Sequence, residues 1–164
     1  MRVRHQQRHL QLRTRGLQGR ERGSLNHRNL TRRLVPYQID FDATNRILRA
    51  RFIGAVTDDD LKTVYRLGQE HVARFDPLSG ITDFSDVTAV AFSPQTMRDL
   101  ARTKPLMPDP SRPVIFVAPT ADLFGMARMF ELQGAESRPN LQVVHTAEEA
   151  YRVLNIRDPQ FAPV

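Results

Sequence analysis

From Tyr37 onward the chain alternates. Tyr37-Gln38-Ile39-Asp40-Phe41-Asp42 sets apolar against polar residues with the period of two expected of a half-buried strand. Ala43-Thr44-Asn45 interrupts the pattern as a short turn. Ile47 to Ile53 then predicts the returning strand of an antiparallel hairpin, closed by Gly54. Beyond it the period lengthens. Leu61, Val64, Tyr65, Gly68, Val72 and Phe75 fall on one side of a helix. Thr57 is its natural N-cap, Asp60 stands near the position of the capping-box acid, and Asp58, Asp59 and Asp60 face the positive helix end. Asp76-Pro77 stops the helix, and Gly80 to Phe84 predicts a short strand. A second helix is expected from Ser93-Pro94 to about Arg102, with serine as cap and proline at the first helical position.

The segment from Lys104 to Pro113 carries Pro105, Pro108, Pro110 and Pro113 and predicts a loop. Val114-Ile115-Phe116-Val117-Ala118 is a continuous apolar run, the mark of a central strand covered on both faces. A third helix, capped by Thr120, should span about Ala121 to Gln133, and Leu141 to Val144 reads as the last strand. Thr146-Ala147-Glu148-Glu149 is a capping box, followed by Ala150, Tyr151 and Leu154 at helical spacing. From Asp158 the chain, with Pro159 and Pro163, is expected to fray. The order ββαβαβαβα predicts an α/β fold. Its mixed sheet of about five strands comprises an N-terminal antiparallel hairpin and parallel β-α units, with about four helices packed on it. Residues 35–156 form the expected single domain and 157–164 a frayed C-terminal tail.

Charge changes the picture of the N-terminus. Over the whole chain 24 Lys+Arg stand against 18 Asp+Glu, a net charge of +6. Residues 1–34 hold ten arginines and one acid, Glu21, and so contribute +9. The other residues carry 14 basic and 17 acidic side chains, or −3. Such an Arg-rich, apolar-poor tail cannot recover its ordering entropy by burial, so the composition predicts disorder. Two readings compete. One is translated upstream sequence appended by a start called too early. The other is a basic arm that meets nucleic-acid phosphates through counterion release. No aromatic is interleaved with the arginines as a stacking platform, and nucleic acid is expected as a partner only through this tail. His5 and His9 lack the further ligands a metal needs.

Several chemistries are excluded. The absence of cysteine removes disulfides, thiolate metal sites and cysteine nucleophiles. No apolar run approaches the roughly 18 residues of a membrane span, so no span is expected and a cytoplasmic location fits. Neither G-x-G-x-x-G nor G-x-x-x-x-G-K-[ST] occurs, which removes those phosphate cradles. Ligands of such sheets favour the crevice beyond the carboxyl ends of the parallel strands, where Asp83, Asp86, Ser93, Thr120 and His145 are expected. A Ser93–His145–Asp83 relay is conceivable in composition, but the G-x-S-x-G elbow is absent and Ser93 already serves as a helix cap. Asp83 and Asp86 suit Mg²⁺ in residue type. Paired carboxylates after a strand more often cap backbone hydrogen bonds. No catalytic activity, metal or cofactor is expected.

The third helix is apolar on more than one side. Leu123, Met126, Ala127 and Phe130 form one stripe, while Phe124, Met129 and Leu132 fall largely outside it. Either the proline-rich loop or the hairpin buries the broad face, or Phe124, Met126, Arg128 and Met129 form an adaptable surface for a partner or apolar ligand. Gly125 inside this helix suggests the close approach of another backbone or ligand.

The chain from about Tyr37 to Leu154 resembles the STAS domain, the fold of the bacterial anti-sigma-factor antagonists, in its divergent SpoIIAA-like branch. Asp83-Phe84-Ser85-Asp86-Val87 is similar to the family's D-[LF]-S-x-V strand end. Phe124-Gly125-Met126-Ala127-Arg128-Met129 is similar to the F-G-x-A-R-M segment of uncharacterised STAS-like proteins. Ser93 lies where the antagonists carry their phosphorylatable serine. The family's Asp-Ser-Ser-Gly is here Ala91-Phe92-Ser93-Pro94, so the Asp and the Gly of the switch are replaced. The resemblance implies a non-enzymatic regulatory or adaptor domain that binds a protein partner. Ser93 is then a phospho-acceptor or a helix cap; a cap alone should tolerate aspartate. The alternative is a carrier or sensor of a small apolar ligand such as a lipid, gated by the third helix and the proline-rich loop.

Overall fold

The alternation of the hairpin becomes two antiparallel strands, β1 (Tyr37–Asp42) and β2 (Ile47–Thr57), with Tyr37 opposite Phe52 and Asp42 opposite Ile47. The computed structural model describes residues 35–164. The Arg-rich segment of residues 1–34, with its expected disorder and basic-arm role, lies outside the described residues. The chain continues through α1 (Asp58–Phe75), β3 (Ser79–Ala91), α2 (Pro94–Arg102), β4 (Val114–Val117), α3 (Ala121–Gly134), β5 (Leu141–Val144), α4 (Ala147–Val153) and β6 (Ala162–Pro163). The strands form one mixed sheet in the order β5-β4-β3-β2-β1-β6. β2, β3, β4 and β5 run parallel to one another, and β1 is antiparallel to both its neighbours.

Every helix start is set by a local device that the sequence displays. The side-chain hydroxyls of Thr57, Ser93, Thr120 and Thr146 accept from the N–H three residues on. Asp60 and Glu149 return the bond to the cap backbone and complete capping boxes. α1 ends at Asp76, which adopts a left-handed conformation (φ 46°) just before Pro77.

Strand alternation divides the core between two faces. One face carries Phe52, Phe84 and Phe116 against α1, α2 and α3, through Leu61, Val64, Met97, Ala101, Leu123, Ala127 and Phe130. Phe52 stacks on Phe84 at 5.0 Å between centroids, and Phe116 meets Phe130 at 5.0 Å. The other face carries Ile47, Ile81, Ile115 and Val117 under Ala150 of α4. That helix is short, and Tyr151, Leu154, Ile156 and Phe161 extend the cover toward the hairpin.

Three expectations need correction. The C-terminal tail does not fray. Ala162 and Pro163 pair with Phe41 and Asp40 as β6, and the Val164 N–H donates to the Ile39 carbonyl at 3.0 Å. Pro163 is tolerated because it lies on the sheet edge. The Phe161 ring lies under the Arg49 guanidinium at 3.9 Å, and the Gln160 N–H reaches the Asp42 carboxylate at 2.9 Å. The third strand extends to Ala91 rather than Phe84, because β2 and β3 continue as a paired ribbon past the end of β4. Two register shifts and Gly54 at φ +72° accommodate its course. Gly125 meets nothing: a Cβ there would have no heavy atom within 4 Å. It faces solvent, so no close approach accounts for it.

Asp42 joins the two ends of the domain. Its fully buried carboxylate accepts from Thr44 N and Asn45 N at 3.0 Å, Asn45 Nδ2 at 2.8 Å and Gln160 N at 2.9 Å. Burial raises its pKa, but the Asn45 side chain and the three backbone N–H groups outweigh that and hold it below the ordinary 3.8. Asp42→Ala leaves buried donors unpaired and should cost about 2–3 kcal/mol in urea unfolding. A folded-state pKa below the unfolded value means this stabilisation is present above about pH 3.8 and is lost as pH falls through the lower folded value. The difference between wild type and Asp42→Ala should therefore shrink in acid. Gly125→Ala should stabilise α3, by about 0.5–1 kcal/mol, because it gains helix propensity without a clash. A destabilising result in thermal unfolding would show that the position is constrained after all.

Candidate functional site

The residues expected at the carboxyl ends of the strands are dispersed. Asp83 is buried on β3, and its Oδ1 accepts from Ser85 N at 2.9 Å. Asp86 pairs with Arg51 across the β2–β3 ribbon, and this contact raises the pKa of the guanidinium. Thr120 caps α3 through Leu123 N. The His145 ring stacks on Phe124 at 4.2 Å, and its backbone N–H donates to Glu149 Oε2 at 2.8 Å. Among the described residues no hydrogen bond joins Ser93, His145 and Asp83, and no cluster of His, Asp and Glu has metal-binding geometry.

Ser93 is a cap with a second partner. Its Oγ accepts from Thr96 N at 3.1 Å, and its own N–H donates to Asp58 Oδ1 at 2.7 Å. The hydroxyl also lies 3.3 Å from Asp58 Oδ1 and 3.3 Å from Thr96 Oγ1. The Ser93 N–H, with the Thr96 hydroxyl next, holds the Asp58 carboxyl below its ordinary range. Asp58 thus leaves the helix-dipole role expected of all three first-turn acids and ties the start of α1 to the start of α2. An acid or a phosphate on Ser93 meets that carboxylate.

Of the proposed surface on α3, Phe124, Met126 and Met129 are half-buried against the core, while Arg128 is exposed and pairs with Glu131. Leu132 projects with 68% of its surface exposed. None of these residues lines the cavity.

The cavity lies elsewhere on the same side of the sheet. It has a volume of about 110 Å³, between the strands, the concave side of α1 and the proline-rich loop. Ile39, Leu48, Ala50, Val64, Val72 and Phe130 are part of its apolar wall. From the loop, Leu106 and Met107 reach inward, and Met107 is 6% exposed beside Ile39, Leu48 and Val72. Gly68 of α1 permits this fit, since a Cβ there would lie 3.1 Å from Leu106 Cδ1. The exposed polar lining residues are Asp109, Ser137 and Asn140, so solvent is reached between the loop and the α3–β5 turn.

The loop holds its shape through polar anchors. Asn140 Nδ2 donates to the Pro110 carbonyl at 2.9 Å and the Ser111 carbonyl at 3.2 Å. The Tyr65 hydroxyl donates to the Lys104 carbonyl. Arg112 pairs with Asp76 at 2.5 Å and donates to the Pro77 carbonyl at 2.7 Å. Arg138 donates to the carbonyls of Ala101 (2.6 Å), Thr103 (2.9 Å) and Leu100 (3.3 Å) and to the Tyr65 hydroxyl (3.1 Å). Its guanidinium also lies 5.1 Å from the Phe130 centroid. The sequence offered one sign of this arrangement, the apolar pair Leu106-Met107 between two prolines. Arg138 gave no local sign.

No protein-family model, curated protein or solved structure matches this chain. No helix among the described residues is long and apolar enough to cross a membrane.

The Asp58 contact changes what is expected at Ser93. Ser93→Ala should cost about 1 kcal/mol, the loss of a serine cap. Ser93→Asp should be worse than alanine at neutral pH, because its carboxylate is set against Asp58. Adding Asp58→Asn should restore Ser93→Asp toward wild type. Urea denaturation of the double-mutant cycle measures the coupling, and strict additivity would show that the two side chains do not interact.

Proposed function

We propose that this domain is a non-enzymatic carrier or sensor of a small apolar ligand, held between α1, the sheet and the proline-rich loop. The supporting observation is the cavity of about 110 Å³, with its almost continuous aliphatic and aromatic wall. That volume is several times a water's share of about 30 Å³ and approaches the roughly 150 Å³ of cavities known to hold benzene. An apolar tail of about six heavy atoms fits, with a polar head at the mouth. An apolar wall offers water too few partners, so an occupant displaces little of value and buries its own surface. The loop supplies the gate, because Leu106 and Met107 belong to no regular element and their movement breaks no strand or helix.

A second reading is supported by a different observation. The 68% exposure of Leu132, on a helix with Met126 and Met129 half-buried beside the core, suits a STAS-like adaptor that docks a protein partner on α3. The carrier reading takes precedence because a formed cavity is a more specific feature than one exposed leucine.

Titrating the full chain with straight-chain six-carbon probes, hexan-1-ol and hexanoate, tests the carrier reading. At least one should bind saturably with one-to-one stoichiometry and shift the methyl resonances of Leu48, Val64, Val72 and Met107. At about 100 times its Kd it should stabilise the fold by about 2.7 kcal/mol. Ala50→Leu fills the wall and should abolish binding while the chain stays folded. Absence of saturable binding by both probes, or unchanged binding in a folded Ala50→Leu variant, would overturn the reading.

A further inference from the structure

Resting on the carrier reading, we infer that the ligand is an amphipathic anion, a monocarboxylate with a tail of about four to six carbons, and that Arg138 recognises its carboxylate. The charges around the cavity carry the inference. Asp76 and Asp109 already have cationic partners. Asp76 pairs with Arg112 at 2.5 Å and Arg46 at 2.7 Å, and Asp109 lies 3.7 Å from Arg112. Arg138 differs from these arginines. It is half-buried on the cavity wall, yet no salt bridge among the described residues includes it. Its partners are three carbonyls and two hydroxyls, Tyr65 and Ser137. These satisfy hydrogen bonds without neutralising the charge.

A partly desolvated guanidinium without a counterion favours an anion that arrives with the ligand. The same oxygens fix its plane and engage both Nη1 and Nη2, so a carboxylate binds at Nε–H or by sharing the Nη donors. The inner wall of the cavity is therefore apolar, and its polar mouth includes Arg138, the pattern of a carboxylate head on a short chain. The volume of about 110 Å³ bounds the tail. A neutral alcohol of equal length fills the apolar part equally well but leaves the charge of Arg138 unanswered.

The pair hexanoate and hexan-1-ol separates the two levels of the argument in the wild-type chain. Hexanoate is expected to bind about tenfold or more tightly than hexan-1-ol, the scale of one charge-assisted hydrogen bond. The preference should fall as salt is raised. Arg138→Gln should abolish this preference and Arg138→Lys retain part of it, whatever the variants do to the affinity of both probes together. Equal or tighter binding of the alcohol by wild type would overturn the anion and leave the carrier reading standing. Binding of neither probe would overturn both. If Arg138→Gln fails to fold, the comparison of the two probes on wild type still decides.

Discussion

The face of the sheet that carries Phe52, Phe84 and Phe116 presents more apolar surface than α1, α2 and α3 cover. The uncovered part lies toward the hairpin, where Ile39 and Leu48 have no second helix above them. The segment Lys104–Pro113 closes that gap and does so without regular structure. Proline suits the task because it limits the unfolded ensemble, so a loop can be ordered with fewer native contacts. Its two apolar residues, Leu106 and Met107, take the place of a helix face. The cavity lies between this loop, α1 and the sheet, and Gly68 of α1 leaves room for Leu106 beside it.

Holding such a loop down requires polar contacts at its margins, and these bring charge to the cavity wall. Near its end Arg112 is tied to Asp76, the left-handed residue that terminates α1. The Arg112 side chain, with Arg46 next, holds the Asp76 carboxyl below its ordinary range. Stopping α1 and anchoring the loop are thus served by one residue. Near its start Arg138 donates to the Leu100 and Ala101 carbonyls in the last turn of α2 and to the carbonyl of its C-cap, Thr103. One side chain caps α2, holds the loop through Tyr65 and lines the cavity. A positive charge at the C-terminus of a helix is favourable in itself. Among the described residues Arg138 is held there without a carboxylate partner.

What could be read along the chain was whatever is decided locally. The hairpin, the four cap residues, the apolar strand Val114–Val117 and the stop at Asp76-Pro77 each depend on neighbours within a few positions, and the structure contains them all. β6 depends instead on Asp42 meeting Gln160, 118 positions away. Two residues ending in proline give no periodic signal. The extension of β3 past Phe84 was hidden for a related reason, since its partner is the far end of β2 and its sequence has no clean alternation. At the candidate sites the same division holds. Ser93 as a cap was legible; the Asp58 carboxylate beside it was not. The proline-rich loop could be named from composition, whereas the cavity beneath it is a gap between distant elements and is written at no single position.

The distribution of contacts around Arg138 bears on whether the domain carries a ligand or senses one. Its oxygen partners belong to α1, to the end of α2, to the start of the loop and, through Ser137, to the α3–β5 turn, and its ring partner Phe130 belongs to α3. An anion that draws the guanidinium toward the cavity weakens its bonds to the α2 carbonyls, because each donor is shared between old and new acceptors. α2 begins at Ser93, where Asp58 fixes it to α1, and ends at the carbonyls that Arg138 holds. α2 packs on α3, and Ala101 and Ala127 belong to the same core, while Leu132 of α3 is exposed. Only a ligand that bound two positions of α2 with different affinity would couple the cavity to that side of α3.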